Sequence, residues 1–304
     1  MEVTTLGDHF KSGFVSLIGR PNVGKSTLIN HLIGEKVSIV SDKIQTTRQT
    51  IHGVLTSDDM QVVFIDTPGV HKPKHQLGNY MVDVSLNTLK EVDLVLFMVN
   101  ADEGYGGGDE YIIERLNMVK TPKFLIINKV DLINPDNILP LIAQYKDKCD
   151  FDEVIPVSAL NGNNLEQLMA LIKEKIPVGP QYYGEDQLTN RSERFFMGEI
   201  IREKILHYTK EEVPHSVNVL IDSKQKNEKG QLHIQATIIT ERDSQKGIII
   251  GKRGSMLKQI GQAARLEMEE IFGEKIYLEV WVKVQKDWRN KRSLLNEYGF
   301  TEDH

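Results

Sequence analysis

Hydrophobic residues in the first part of the chain form short compact runs, separated by stretches in which apolar residues recur at helical spacing. The runs are rich in Val, Ile, Leu and Phe and cover residues 14–18, 62–65, 94–99, 124–127 and 154–157. Such runs are typical of parallel strands that are buried on both faces. Helix-period stretches lie between them, for example at 81–89 and 111–119. Residues 14–175 are therefore predicted to form an α/β domain with a mostly parallel sheet flanked by helices.

The pattern changes after residue 176. Residues 177–184 hold two prolines and two glycines, which is typical of a linker. Beyond it, the periodicities predict an α+β domain with the order helix, strand, strand, helix, helix, strand, in which the first two strands form a hairpin. The last helix of this domain is predicted to run from about 263 to 272. We predict domains at 11–178 and 194–284, a linker at 179–193 and a C-terminal helix or tail at 285–304.

Length and composition narrow the class of protein. The 304 residues fit about two domains, and the 40% hydrophobic content fits folded rather than disordered ones. The single cysteine excludes an internal disulfide and a cysteine-based zinc cluster. The first residues lack a basic segment followed by an apolar one, and every apolar run is far shorter than the roughly 18 residues of a membrane span. We therefore expect a cytoplasmic protein without a signal peptide or an integral membrane segment.

Charge is distributed unevenly along the chain. The net charge of −6 argues against a generally basic nucleic-acid coat protein. However, residues 181–304 carry 20 basic and 20 acidic residues, so the excess of acid lies in the first 180 residues. Within the second part, Lys246, Lys252, Arg253 and Lys258 fall in a stretch without any acid, whereas acids cluster at 267–274. This segregation predicts a basic binding face and a solvated acidic back.

Residues 19–26 match the pattern G-x4-G-K-[ST], directly after a predicted strand and before a predicted helix. The two glycines allow consecutive backbone N–H groups to curl around a phosphate, and the helix points its positive end at the same anion. The lysine can reach the β and γ phosphates, and the serine hydroxyl can bind Mg²⁺. We predict nucleotide contacts from eight residues: Gly19, Arg20, Pro21, Asn22, Val23, Gly24, Lys25 and Ser26.

Three more short motifs follow, each at the C-terminal end of a predicted strand. Asp66 can hold Mg²⁺ through water, and the Gly69 N–H can sense a γ-phosphate. Asp131, which we expect to be buried, can accept two N–H bonds that guanine offers and adenine does not, and the Ala159 N–H can bind the guanine O6. The predicted nucleotide site therefore also includes Asp66, Thr67, Pro68, Gly69, Val70, Asn128, Lys129, Val130, Asp131, Ser158, Ala159 and Leu160.

Together, the four motifs over residues 14–175 resemble those of a translation-factor-related GTPase domain. The resemblance implies GTP or GDP and Mg²⁺ as ligands, with Ser26 and Asp66 in the metal site. It also implies that Lys25 and Gly69 act on the γ-phosphate. Residues 45–48, QTTR, match the family's first switch, in which a threonine completes the Mg²⁺ shell when the γ-phosphate is present. We assign this metal-binding role to Thr47, with Thr46 as the alternative.

One position departs from the Ras-type pattern. Val70 stands where Ras-type enzymes place a glutamine that orients the attacking water, which an apolar side chain cannot do. The resemblance then narrows to GTPases with a hydrophobic residue at this position. Several of these keep an asparagine in the phosphate loop, here Asn22, which binds a K⁺ that substitutes for an arginine finger. This implies slow hydrolysis stimulated by K⁺. A simple loop hydrogen bond for Asn22, and His71 as a base, are the alternatives.

Residues 248–254, IIIGKRG, contain a G-x-x-G turn. The turn alone is common, but here an apolar run precedes it, a helix follows, and hairpin and strand elements flank it. This setting resembles a type-II KH domain, in which the turn clamps the backbone of about four single-stranded nucleotides. It implies RNA contacts from Ile250, Gly251, Lys252, Arg253, Gly254 and Lys258. Several nearby apolar side chains could either stack on bases or pack in the domain: Ile248, Ile249, Ile260, Trp288 and Tyr298.

A GTPase domain followed directly by a KH domain resembles a bacterial family of ribosomal-RNA-binding GTPases. The resemblance implies binding to single-stranded small-subunit (16S) ribosomal RNA near its 3′ end and a role in assembly of the small ribosomal subunit. It further implies peripheral contact with the inner face of the cell membrane, and we expect a monomer. Two alternatives stay open. The second domain could bind protein or membrane instead of RNA, or the nucleotide site could be vestigial, which the intact Lys25, Ser26, Asp66 and Asp131 argue against.

Overall fold

The computed structural model describes residues 9–228 and 230–301, and the chain divides into two compact units. The first unit comprises the described parts of Met1–Ser38, Thr47–Pro73 and Asn79–Asn190. The second comprises those of Ile39–Thr46, Lys74–Gly78 and Arg191–His304. Two short segments from the N-terminal part of the sequence therefore belong to the second unit.

A six-stranded sheet forms the centre of the first unit. Its strands are β1 (Lys11–Gly19), β2 (Ile51–Ser57), β3 (Met60–Asp66), β4 (Leu94–Asn100), β5 (Lys123–Asn128) and β6 (Glu153–Pro156). Their order is β2-β3-β1-β4-β5-β6, and every pair is parallel except β2 with β3. The prediction of a mostly parallel sheet is confirmed. The antiparallel strand β2 was not predicted, because IHGVLTS mixes polar and apolar residues, as edge strands do.

Helices cover both faces of this sheet. They are α1 (Lys25–Ile33), α2 (Gln76–Asn87), α3 (Gly107–Leu116), α4 (Ile138–Lys146) and α5 (Leu165–Lys175). One buried cluster joins α1 and α5 to β1, β3 and β4, and a second joins α3 and α4 to the other side of β4 and β5. Because β1, β3, β5 and β6 all run in the same direction, their C-terminal ends meet at one edge of the sheet, which is where the four motifs lie.

The segment predicted as a linker contacts the sheet of the first unit. The Val54 N–H in β2 donates to the carbonyl oxygen of Leu188 at 2.9 Å. The side-chain oxygen of Gln61 accepts from the N–H groups of Tyr182 (2.7 Å) and Tyr183 (2.9 Å). The segment is therefore held to the edge strand β2 by its Leu188 carbonyl oxygen and to β3 by the side chain of Gln61.

From Arg191 onward, the described residues of the second unit form a three-stranded sheet and five α-helices. In chain order the elements are α6 (Glu193–Tyr208), α7 (Val213–Ser216), β7 (Asn218–Lys226), β8 (Leu232–Thr240), α8 (Asp243–Ile250), α9 (Ser255–Phe272), β9 (Ile276–Val284) and α10 (Arg292–Glu297). Strands β7 and β8 form an antiparallel hairpin, and β9 runs parallel to β8. The predicted order of elements is confirmed, with the short α7 in addition. None of the described helices combines the length and apolar character needed to cross a bilayer.

Helix α9 begins eight residues earlier than predicted. It starts at Ser255 instead of 263, directly after Gly254, which adopts a left-handed conformation with φ 79°. Ile260, Ala264 and Met268, which are spaced four residues apart, are all buried against the sheet. The two glycines that flank the start of this helix, Gly254 and Gly261, made residues 255–261 look like a loop in the sequence.

Candidate functional site

The phosphate-loop motif forms the turn between β1, which ends at Gly19, and α1, which begins at Lys25. Both glycines are needed for close approach. A Cβ atom at Gly19 would lie 2.3 Å from the Met98 carbonyl oxygen, and one at Gly24 would lie 2.2 Å from the side-chain nitrogen of Asn128. Asn22 has a left-handed φ of 62° within the same turn. The loop is therefore tightly curled at the N-terminus of a helix, as an anion site requires.

Lys25 is buried at the start of α1, with only 6% of the residue exposed. Its ammonium group makes two long hydrogen bonds, to the carbonyl oxygens of Gly19 (3.4 Å) and Arg20 (3.3 Å). Burial lowers the pKa of Lys25 to about 8, although the nearby Asp66 carboxylate opposes this shift. A poorly compensated buried cation attracts an anionic phosphate strongly.

A cluster of oxygen atoms surrounds the Asp66 carboxylate at the end of β3. Its Oδ2 atom accepts from the hydroxyls of Ser26 at 2.7 Å and Thr47 at 3.2 Å, and those two hydroxyls lie 3.1 Å apart. Burial raises the pKa of Asp66. Within the described part of the chain, its Oδ1 atom is buried and has no hydrogen-bond partner. Hard oxygen donors and an unsatisfied carboxylate oxygen fit Mg²⁺, which Ser26, Thr47 and Asp66 would hold.

The two switch threonines have different environments. Thr47 is buried in the cluster around Asp66, whereas the Thr46 hydroxyl donates to the Lys43 carbonyl oxygen at 2.7 Å. The structure thus brings Thr47, and not Thr46, together with the other predicted metal ligands. Its role as the switch ligand stays a prediction.

Asn128, at the end of β5, ties two of the predicted loops together. Its side-chain nitrogen donates to the Val23 carbonyl oxygen at 2.7 Å, and its side-chain oxygen accepts from the Ala159 N–H at 2.9 Å. The Ala159 N–H, predicted to serve the guanine O6, is thus bonded to Asn128 in this structure. The asparagine fixes the phosphate loop relative to the base-binding loop.

Two residues of the predicted base site, Asp131 and Leu160, lie at the surface. The expectation that Asp131 is buried was wrong, because it lies in an exposed single turn, Val130–Leu132, that follows Lys129 with its left-handed φ of 65°. Leu160 is also exposed, whereas Ser158 is buried. The Asp131 carboxylate is therefore accessible to an incoming base rather than enclosed beforehand.

The D-T-P-G segment is bonded back to β1 and the phosphate loop. The Thr67 hydroxyl donates to the Leu17 carbonyl oxygen at 2.5 Å, and the Val70 N–H donates to that of Gly19 at 3.0 Å. A Cβ atom at Gly69 would lie 2.7 Å from the Cα atom of Pro21. The Val70 side chain is buried, so it offers no polar group to water.

The Arg20 side chain, predicted to contact the nucleotide, instead bonds to Asp109 and its neighbours. It donates to the buried Asp109 carboxylate at 3.0 Å and to the Gly104 carbonyl oxygen at 3.1 Å, and it pairs with Glu103 at 3.2 Å. The backbone of Arg20 remains in the phosphate loop, where its carbonyl oxygen accepts from Lys25. The side chain therefore anchors the loop to residues 103–109.

In the second unit, the G-x-x-G turn connects α8 to α9. Gly251 has φ 71° and ψ 178°, and a Cβ atom there would lie 2.7 Å from the Cβ atom of Met256. Arg253 and Gly254 are both left-handed, with φ of 54° and 79°. The side chains of Lys252, Arg253 and Lys258 are exposed around this turn, and Ile250 is half-buried beside it.

Two family models match the chain, a 50S ribosome-binding GTPase over residues 14–129 and a KH domain over residues 212–289. A crystal structure of Era in complex with MgGDPNP and nucleotides 1506–1542 of 16S ribosomal RNA is 42% identical, with a TM-score of 0.94. That match covers 97% of this chain and all of the other. The chain belongs to the Era family. A variant of Aquifex aeolicus Era bound to GDP and AlF4⁻ is similar at 41% identity and TM-score 0.93, over 96% of this chain and 100% of that one. The predicted GTPase activity is thereby confirmed.

In this Era-family GTPase, several apolar residues near the KH turn belong to the core. Ile249 and Ile260 are fully buried and therefore do not stack on bases, whereas Ile248 is half-exposed. Trp288 is also fully buried, its indole N–H donates to the Ser216 carbonyl oxygen at 2.9 Å, and Tyr298 packs against its ring. Stacking of Trp288 and Tyr298 on bases is therefore ruled out in this structure.

Acidic residues at 267–274 of the second unit, the KH unit, do more than face the solvent. Glu269 bonds to Arg265 at 2.8 Å and accepts from the Ile276 N–H at 3.0 Å, which ties the end of α9 to β9. Glu267 pairs with Lys204 on α6. These acids stabilise the packing of α9, a role that charge counting did not predict.

The second unit includes two residues of the switch segment, Gln45 and Thr46, which bond to α6. Arg202 on α6 is almost fully buried and donates to the carbonyl oxygens of Gln45 and Thr46, while Glu199 pairs with it. The Glu203 carboxylate accepts from the Val40 N–H at 2.9 Å. Nothing in the sequence indicated these contacts, because they join residues about 160 positions apart.

Sequence reasoning also missed two residues of the first unit, Ser38 and Asn30. The Ser38 hydroxyl donates to Asp66 Oδ2 at 2.7 Å, so this serine is a third hydroxyl donor to the predicted metal carboxylate. The only signal in the sequence is a serine between two apolar residues, Val37 and Ile39, and a buried serine of any kind can show that pattern.

Proposed function

We propose that this GTPase is a molecular switch that binds single-stranded 16S ribosomal RNA near its 3′ end and acts in assembly of the small ribosomal subunit. The observation that carries the proposal is the pairing of two sites in one chain. The hydroxyl cluster at Asp66 lies in the first unit, and the exposed basic turn at Gly251–Gly254 lies in the second. The Era structure with a 16S ribosomal RNA segment supports the choice of RNA.

In the nucleotide site, the phosphate loop and Lys25 bind the phosphates, and Ser26, Thr47 and Asp66 hold Mg²⁺. The Gly69 N–H senses the γ-phosphate, and the exposed Asp131 accepts the N–H groups of guanine. Bound Mg²⁺ neutralises charge on the phosphates during hydrolysis. These assignments are supported by the burial of Lys25 and by the Oδ1 atom of Asp66, which has no hydrogen-bond partner among the residues that the structure describes.

The proposal is tested by binding of the full chain, loaded with a non-hydrolysable GTP analogue, to a single-stranded oligonucleotide of the 16S 3′ end. Lys252→Ala should weaken binding and lower the slope of log affinity against log salt by about 1. Lys275→Ala is the matched control, since Lys275 is an exposed lysine that follows the other end of α9. An 18-residue helix spans about 27 Å, so the two lysines are far apart.

Crosslinking distinguishes this function from its alternative, a second domain that binds protein or membrane. Crosslinks from bound RNA should map to Gly251–Gly254 and to Lys258. RNA crosslinks that map elsewhere, with equal effects of Lys252→Ala and Lys275→Ala, would favour the alternative.

We also propose that the two units are coupled through the switch segment. Thr46 belongs to the second unit, where Arg202 holds its carbonyl oxygen, and Thr47, the next residue, belongs to the first. Ordering of Thr47 by GTP and Mg²⁺ is then transmitted along one peptide bond and changes the exposure of the basic turn at Gly251–Gly254. Equal RNA affinity of the GTP-bound and GDP-bound forms would contradict this coupling, because a ligand with no differential affinity shifts no equilibrium.

K⁺ is the proposed second cation, held by Asn22. The support is the buried apolar Val70, which leaves the attacking water without a glutamine to orient it, and the family resemblance. Hydrolysis should be faster in K⁺ than in Na⁺, and Asn22→Ala should remove the difference. Equal rates in the two salts would contradict K⁺ binding and leave Asn22 as a loop hydrogen-bonding residue. From the same resemblance we propose a cytoplasmic monomer with peripheral contact at the inner membrane face.

A further inference from the structure

The Asp66 carboxylate receives one more hydroxyl than the metal assignment uses. Its Oδ2 atom accepts from Ser26 (2.7 Å), Thr47 (3.2 Å) and Ser38 (2.7 Å). Ser26 and Thr47 are the proposed Mg²⁺ ligands, whereas Ser38 has no part in the motifs. Ser38 is nevertheless 1% exposed, and its bond is as short as that of Ser26.

Asn30 on α1 fixes the position of Ser38. Its side-chain oxygen accepts from the N–H groups of Val37 and Ser38, both at 3.0 Å, and its side-chain nitrogen donates to the Ser38 carbonyl oxygen at 2.8 Å. Both backbone groups of Ser38 are thus bonded to one helical side chain. The Ser38 hydroxyl is therefore aimed at Asp66 by a part of the fold that does not include the nucleotide-binding loops.

We propose that Ser38 is a positioning residue for Mg²⁺: it holds the Asp66 carboxylate in the orientation in which that carboxylate serves the ion. This rests on the metal site proposed above for Ser26, Thr47 and Asp66. Ser38 does not touch the ion in this scheme. It holds the Oδ2 atom, which leaves Oδ1, without a partner in the described part of the chain, as the oxygen that needs one. Partners of metal ligands typically change metal affinity 10- to 100-fold when they are removed.

Ser16 provides a matched control. It is a fully buried serine in β1 of the same unit, and its hydroxyl lies 3.0 Å from that of Thr88 rather than near Asp66. Replacing either serine by alanine removes one buried hydroxyl and no charge. A purely structural effect should therefore appear in both variants.

The experiment measures release of a fluorescent GDP analogue from the full chain as a function of free Mg²⁺. Ser38→Ala should raise the Mg²⁺ concentration that half-maximally slows release by about tenfold, the low end of the range for such partners. Release in excess chelator should match the parent protein, which shows that the nucleotide pocket is intact. Ser16→Ala should leave the Mg²⁺ midpoint unchanged. Asn30→Ala, which keeps the hydroxyl but frees its backbone, should shift the midpoint in the same direction by less.

Ser26→Ala distinguishes a failure of the Ser38 role from a failure of the metal site itself. If Ser26→Ala raises the Mg²⁺ midpoint and neither Ser38→Ala nor Asn30→Ala does, the role of Ser38 is overturned and the metal site stands. If Ser26→Ala also leaves the midpoint unchanged, the metal assignment itself fails. If Ser38→Ala proves unstable, the Mg²⁺ midpoint of Asn30→Ala decides. An Asn30→Ala midpoint equal to that of the parent protein then overturns the proposal.

Discussion

Binding of nucleotide should be accompanied by proton uptake at Lys25. In the nucleotide-free chain, burial lowers the pKa of this lysine to about 8, so about half of the molecules carry a neutral amine at pH 8. Anionic phosphates favour the ammonium form and raise the pKa again. Binding should therefore take up about 0.5 proton at pH 8 but only about 0.1 at pH 7, and the affinity for GDP should fall about tenfold towards pH 9.

The direction of each pH dependence is set by which of the two states binds more protons. The bound state keeps the proton above pH 8 and the free state loses it, so affinity falls as pH rises through the free-state pKa. In the unfolded chain the lysine has its ordinary pKa of 10.5, so the folded nucleotide-free chain binds fewer protons between about 8 and 10.5. Lys25 therefore destabilises the nucleotide-free fold most below pH 8, and this cost declines over that window.

Calorimetry of GDP binding at pH 8, in two buffers with different ionisation enthalpies, measures the uptake directly. Lys25→Arg is the control, because a guanidinium stays charged across this pH range. GDP binding to this variant should therefore take up no proton at this position, even if the variant binds GDP more weakly. A parent protein whose binding enthalpy is independent of buffer would refute the reasoning. So would an equal uptake in Lys25→Arg.

Two further predictions concern the KH unit. Gly251→Ala should lower the free energy of unfolding by about 3 kcal/mol, because φ 71° with ψ 178° favours glycine and the new Cβ atom would clash with Met256. Gly254→Ala should lower it by only about 1 kcal/mol, because the new Cβ atom at φ 79° would lie in open space. Equal losses in urea titrations would contradict this difference. Trp288→Ala should cost about 3–5 kcal/mol, because the ring is fully buried against Phe300, and a loss below about 1 kcal/mol would show that the pocket collapses around the gap.

Most of the nucleotide site could be predicted from the sequence because its chemistry is local. A phosphate loop needs its glycines, lysine and serine within a few positions, and the fold then places the other motifs at neighbouring strand ends. Ser38 and Arg202 could not be found this way. Each acts on a residue far away in the sequence, Asp66 and Thr46, and neither sits in a pattern that distinguishes it from an ordinary serine or arginine.

The alternatives left open for apolar residues of the second unit have a common physical cause. Apolar residues beside a binding turn look alike in sequence whether they serve the ligand or the core. The structure separates them by burial: Ile249 and Trp288 are in the core, while Ile248 and Trp281 are about half-exposed. Ile248 and Ile249 are neighbours in α8, so the side of the helix that faces the core, and not hydrophobicity, decides which of them is buried.

Two buried charges of the predicted nucleotide site, Lys25 and Asp66, should link ligand binding to folding. Lys25 and Asp66 are both buried, and burial shifts the pKa of each towards its neutral form even though they attract one another. Their mutual attraction therefore does not offset the loss of hydration. In the proposed nucleotide site, a phosphate beside Lys25 and a divalent cation beside Asp66 would each supply the missing counter-charge. The acidic balance of this half of the chain is thus compatible with an anionic ligand, since the ligand arrives with its own cation and binds where the local charge is positive.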